Sequence, residues 1–146
     1  MTSVVAIVHA GLAAAWVGGM AYSLFVVRPK LAKYFGPDAD AREALTTVIA
    51  SGNRWKVVGL IAAIAATGGL LLALEQEQWW IHALKGVLLL VASVIFWYVS
   101  WRHWPRRVFA TAAELPTLQR RLVQLAGTML VLTGTAFALG VLAVHT

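Results

Sequence analysis

The chain has no cysteine, which excludes a disulfide framework, a thiolate metal site and thiol redox chemistry. Charge is also scarce, with Asp, Glu, Lys and Arg making up 12% of 146 residues while 60% are hydrophobic. A soluble domain of this length does not need that much apolar surface. Apolar runs cover 4–27, 57–74, 79–101 and 122–144, and their only formal charge is Lys85. Runs of about 20 apolar residues match the ~30 Å hydrocarbon core at a helical rise of ~1.5 Å. The expected fold is therefore an all-α membrane protein, a single four-helix transmembrane domain over 1–146 with spans at about 4–27, 55–75, 79–103 and 118–144. The first span has no basic start, and its apolar core exceeds the 7–15 residues of a signal-peptide core, so it reads as a retained span.

Basic residues are distributed with one sign of asymmetry. Six lie between the first and second spans (Arg28, Lys30, Lys33, Arg42, Arg54, Lys56), and five more lie between the third and fourth (Arg102, Arg106, Arg107, Arg120, Arg121). The N-terminus, the turn holding Glu75 and Glu77, and the C-terminus have none. Basic residues in short loops mark the cytoplasmic side. This predicts an up-down bundle in a bacterial inner membrane, with both termini on the periplasmic, exterior side. It also explains the net charge of +6 without a nucleic-acid partner; the expected partner is the lipid bilayer. Trp55, Trp79, Trp80, Trp101 and Trp104 fall at span ends, as an aromatic belt requires. Trp16 and Trp97 lie deeper and are expected to face a neighbouring helix or a ligand.

Asp38 can cap a short amphipathic helix at about 39–50, with Ala41, Leu45, Val48 and Ile49 on one face and Arg42 and Glu43 opposite. Such a segment is expected in the headgroup plane. Ser51-Gly52-Asn53 breaks it, and Pro116 sets the start of the fourth helix. Small residues recur at four-residue spacing on the first helix (Ala10, Ala14, Gly18, with Gly11, Ala15 and Gly19 beside them) and on the second (Gly59 with Ala63). Close backbone contact between helices uses such residues, and the same faces would suit a homodimer.

The polar groups within the apolar runs are the expensive ones. A polar side chain at membrane depth is a functional-site hypothesis by default. His9 is expected one to two turns below the outer surface, with His82 and Lys85 at similar depth on the third helix. In an up-down-up-down bundle the first and third helices face each other diagonally across the core. On the first helix His9 shares a face with Ala13, Trp16 and Met20; on the third, His82, Lys85, Leu89, Ser93 and Ser100 form a row. Ligand-capable groups on diagonal helices suit a planar cofactor held edge-on, such as haem b with one or two axial histidines. Trp16 and Tyr22 are candidates to line its slot. His145 belongs to the same outer side, His103 is expected to be solvated at the opposite surface, and Met129 reads as a packing residue.

At H-A-G-L-A-A-A-W-V-G-G-M-A-Y-S-L-F-V-V-R-P-K-L, from His9 to Leu31, the chain resembles the copper-resistance D (CopD) type of small membrane protein. The resemblance continues through Asn53-Arg54-Trp55, Ala66-Thr67-Gly68 and Trp80-Ile81-His82-Ala83-Leu84-Lys85. The layout is also similar to the quinone-linked membrane protoporphyrinogen oxidases (HemJ type), whose first-helix histidine would correspond to His9 and whose third-helix histidine and lysine to His82 and Lys85. The spacing departs from that pattern, because Lys85 follows His82 by three positions where two are expected.

Three function classes follow. The favoured one is a haem b-binding redox protein exchanging electrons with quinone or a partner protein, with His9 and His82 as metal ligands and Lys85 and Trp16 completing the cofactor site. Oxidoreductase activity of the protoporphyrinogen oxidase kind is a variant of this class. The second is a copper-binding protein for copper uptake or resistance, using His9 and His82 on one copper ion; no relay of soft ligands through the membrane is visible. The third is a non-catalytic membrane scaffold.

Overall fold

A computed structural model describes residues 2–74 and 79–143. Every regular element among them is helical: α1 (Thr2–Tyr22), α2 (Arg28–Phe35), α3 (Ala39–Ala50), α4 (Asn53–Leu74), α5 (Trp79–Tyr98), α6 (Trp104–Val108) and α7 (Leu115–Ala143), with π-helical turns at Ser23–Val27 and Val99–His103. Four continuous helices are long and apolar enough to cross a membrane: Ser3–Phe35, Asn53–Leu74, Trp79–Val108 and Leu115–Ala143. The protein is thus a helical, multi-pass membrane protein. Large apolar side chains such as Ile7, Phe25, Leu90 and Val131 are exposed along these helices, which suits lipid as solvent.

The first and third helices are longer than the sequence suggests. Pro29 and Pro105 were expected to end their spans, yet the chain stays helical to Phe35 and Val108. A proline ring clashes with the carbonyl four residues back and offers no N–H. Just ahead of each proline the helix widens into a π turn, closed by Arg28 N–H to Ser23 O and by Trp104 N–H to Val99 O. In that wider register the carbonyl of Ser100 would pair with residue 105, which is proline. The orphaned oxygen is instead taken by Arg54, whose Nη2 donates to it at 2.6 Å. Arg54 also stacks over the Trp101 ring, 4.7 Å from its centroid.

Gly36, at φ +53°, ends α2. Asp38 then accepts from Ala41 N–H at 3.0 Å and caps α3 as expected. The apolar side of α3 (Leu45, Val48, Ile49) is exposed, while Glu43 turns inward to Arg107. Gly52, at φ +75°, makes the turn into α4. The helix after Pro116 begins at Leu115, as read from the sequence. Just before it, Thr111 donates its N–H (2.9 Å) and hydroxyl (2.8 Å) to Glu114, holding that carboxyl below its ordinary range.

α1 packs against α4 and α7, and α5 packs against the same two helices. Their core is Trp16, Ile64 and Ala92, surrounded by Leu12, Met20, Leu60, Leu89 and Leu132. Met129 is buried, in line with a packing role. The glycine stripes behave differently from expectation. Gly11, Gly18, Gly19 and Gly59 are exposed, and an added Cβ at any of them would meet nothing within 4 Å. The helices therefore do not approach each other through these residues.

Candidate functional site

His9 is fixed by α4. Its Nδ1 lies 2.8 Å from Thr67 Oγ1, and Thr67 Oγ1 lies 2.8 Å from Ala63 O. A threonine hydroxyl has one proton, and a helical threonine gives it to the carbonyl one turn back. Thr67 must then accept from His9, so Nδ1 carries the imidazole proton and Nε2 carries the lone pair. The next residue completes the seat: a Cβ on Gly68 would sit 3.1 Å from His9 Cε1. Only a glycine leaves the ring room to lie where it does. Sequence reading treated Thr67-Gly68 as packing; its signal was a hydroxyl followed by a missing side chain, at the depth of His9.

The seat opens on a cavity of about 690 Å³. Its walls are apolar (Ala6, Ala13, Ile64, Leu71, Leu89 and Phe137 among them), with His9, His82, Lys85, Ser93 and Thr133 as its polar members. Buried Trp16 also lines it and belongs to the core. The four residues singled out by sequence, His9, Trp16, His82 and Lys85, therefore meet around one space. Lys85 crosses toward α7, where its Nζ lies 3.4 Å from the place a Cβ on Gly140 would take. Gly68 and Gly140 are thus the two glycines whose missing side chains make room, one for an imidazole and one for an ammonium.

Other expectations fail here. Tyr22 is exposed and lines no part of this cavity. Trp97 is also exposed, with its ring stacked on Trp101 at 6.4 Å. Ser100 and Met20 belong to a different cavity. His145 lies outside the described residues. His103 is not solvated: it is 1% exposed, and neither ring nitrogen has a hydrogen-bond partner among the described residues. The π turn that precedes α6 carries it into the protein.

At the arginine-rich end of the helices lies a second cavity of about 1020 Å³, lined by Arg28, Arg42, Arg54 and Arg107. Arg107 is buried and forks onto Glu43, Nε to Oε1 and Nη2 to Oε2, both at 2.6 Å. Its Nη1 has no hydrogen-bond partner among the described residues. The sequence showed these arginines only as loop charges, because nothing local reveals that α3 and α6 fold back over the helix ends.

Among the described residues there is no group of three or more His, Asp or Glu side chains that could hold a metal ion. Comparison with known proteins finds no matching family model, no matching curated protein and no matching solved structure.

Proposed function

We propose that this is a b-type haem-binding membrane protein of electron transfer, with the cofactor between the first and third long helices. The observation that carries this reading is the seat of His9. A ligating histidine typically donates its second ring N–H to an outer partner that fixes tautomer and orientation, and Thr67 does this for His9. An apolar cavity of about 690 Å³ with few polar groups falls in the ~300–1,000 Å³ range of cofactor sites. Haem there would supply one-electron redox chemistry at a potential set by its axial ligands and surroundings.

On this reading His9 Nε2 is one axial ligand and His82 the other. Lys85 neutralises a propionate from the side of Gly140, while Trp16 and Ile64 close the floor against water. Copper would need a third ligand of a kind the described part of the cavity does not offer. The arrangement is an up-down-up-down bundle in a bacterial inner membrane with both termini outside, supported by the eleven-to-zero distribution of basic residues. Electrons would pass to quinone or to a partner protein.

The test is spectroscopic. Protein from haem-replete cells, purified in mild detergent, should show a Soret band and reducible α/β bands. His9→Ala should abolish the Soret band, His82→Ala should shift it, and exposed Tyr22→Ala should leave it alone. A colourless protein unchanged by added haemin would refute the proposal. Stoichiometric copper lost in His9→Ala would put copper in its place, and a colourless, metal-free protein would leave a scaffold role.

A further inference from the structure

The cavity at the opposite end is built for a different ligand. Four guanidinium groups line it, and the one carboxylate paired with any of them is Glu43, taken by Arg107. Arg28 and Arg42 have no ion pair among the described residues. Arg107 adds the strongest sign of a missing partner, a buried guanidinium nitrogen, Nη1, lacking any acceptor. An unpaired buried donor is costly, and an anion here would satisfy it. The rest of the wall is apolar: Leu24, Phe25, Leu122, Val123, Leu130 and Val131. Both π turns contribute to the lining, as such turns often do at functional sites.

We propose that this cavity binds an anionic phospholipid, its phosphodiester on Arg28, Arg42 and Arg107 and its acyl chains along the apolar wall. Arginine forks match phosphate oxygens two at a time, and basic pockets between membrane helices take acidic headgroups. A zwitterionic lipid brings a cation that the guanidinium cluster repels. A small anion leaves the apolar half of the cavity unfilled. α3 forms the outer wall through Arg42, Thr46 and Ile49, and the Glu43–Arg107 pair holds it there. This inference is independent of the haem reading, since none of these residues lines the His9 cavity.

The test is native mass spectrometry of delipidated protein titrated with phosphatidylglycerol, phosphatidylcholine or inorganic phosphate. Phosphatidylglycerol should bind at least about tenfold more tightly than phosphatidylcholine, and inorganic phosphate should not displace it. Arg28→Gln with Arg42→Gln should weaken it by roughly 25-fold, about fivefold per guanidinium. Lys33→Gln with Arg120→Gln removes the same charge from exposed positions outside the cavity and should change nothing. Gly127→Leu fills the apolar wall without touching charge, has open space for its Cβ, and should also abolish binding. It decides the question if the double arginine variant does not fold. His9→Ala should keep the lipid preference. Equal binding of the two lipids, equal loss in the exposed pair, unimpaired binding in Gly127→Leu, or displacement by inorganic phosphate would overturn the proposal.

Discussion

Thr67→Val separates the seat of His9 from the rest of the cavity. The substitution keeps the shape of the side chain and removes one oxygen, the one 2.8 Å from His9 Nδ1. A typical intramolecular hydrogen bond contributes about 1 kcal/mol net, and interhelical bonds in membranes average ~0.6. Here the loss also leaves the Nδ1 proton facing an apolar wall, which costs about 1–3 kcal/mol when no other acceptor is found. A destabilisation of about 1–2 kcal/mol follows, measurable as a shift in the unfolding midpoint in mixed micelles. The tautomer is the sharper readout. In the parent protein, long-range proton–nitrogen spectra of histidine-labelled material should show Nδ1 protonated and Nε2 bare at His9. In Thr67→Val that preference should weaken, and cofactor affinity should fall about 10–100-fold, the usual effect of removing an outer-shell partner. Thr67→Ser should restore both. If Thr67→Val unfolds within about 0.3 kcal/mol of the parent and His9 keeps its resonances, Thr67 does not anchor the imidazole.

Three other substitutions probe neighbouring contacts. Gly68→Ala puts a methyl group 3.1 Å from His9 Cε1 and should cost about 1–3 kcal/mol as overpacking while moving the His9 ring signals; Gly69→Ala, with nothing within 4 Å, should do neither. Arg54→Leu strips the acceptor Ser100 O of its partner and should cost about 1–3 kcal/mol in the same unfolding assay. In a Pro105→Ala background that cost should shrink, because the restored N–H can reach the same oxygen. Glu43→Gln leaves the buried Arg107 charge uncompensated and should destabilise by about 3–5 kcal/mol, with most of it recovered when Arg107→Met is added.

Hydropathy runs of bilayer length made the four long helices readable, and the rarity of polar groups inside them made His9, His82 and Lys85 stand out. Their meeting in one cavity follows from helix order and depth. The failures share a physical cause, which is that neighbours overrode a local rule. Pro29 and Pro105 usually stop a helix, but a widened turn absorbs each clash and an arginine from another helix answers the freed carbonyl at Ser100. Glycines at four-residue spacing usually mark a helix contact, but the ones in use, Gly68 and Gly140, make room for a histidine and a lysine instead. His103 and Arg107 looked solvated because they follow a basic, tryptophan-rich segment. Their burial depends on where α6 folds, which no short window of sequence encodes.

The turn at Val99–His103 also fixes how the chain can change length. A π turn holds one more residue than a regular helical turn, and each residue rotates a helix by about 100°. Deleting any one of those five residues would restore ordinary winding ahead of Trp104 and swing everything after it by that angle. His103 and Arg107, now 1% and 4% exposed, would be carried round to the lipid side, and Glu43 would lose its partner. An insertion there would do similar harm in the other direction. The six residues from 109 to 114, mostly exposed and outside any helix, have no such phase to keep. Length variation between the third and fourth long helices should therefore be tolerated after Val108 and not before it.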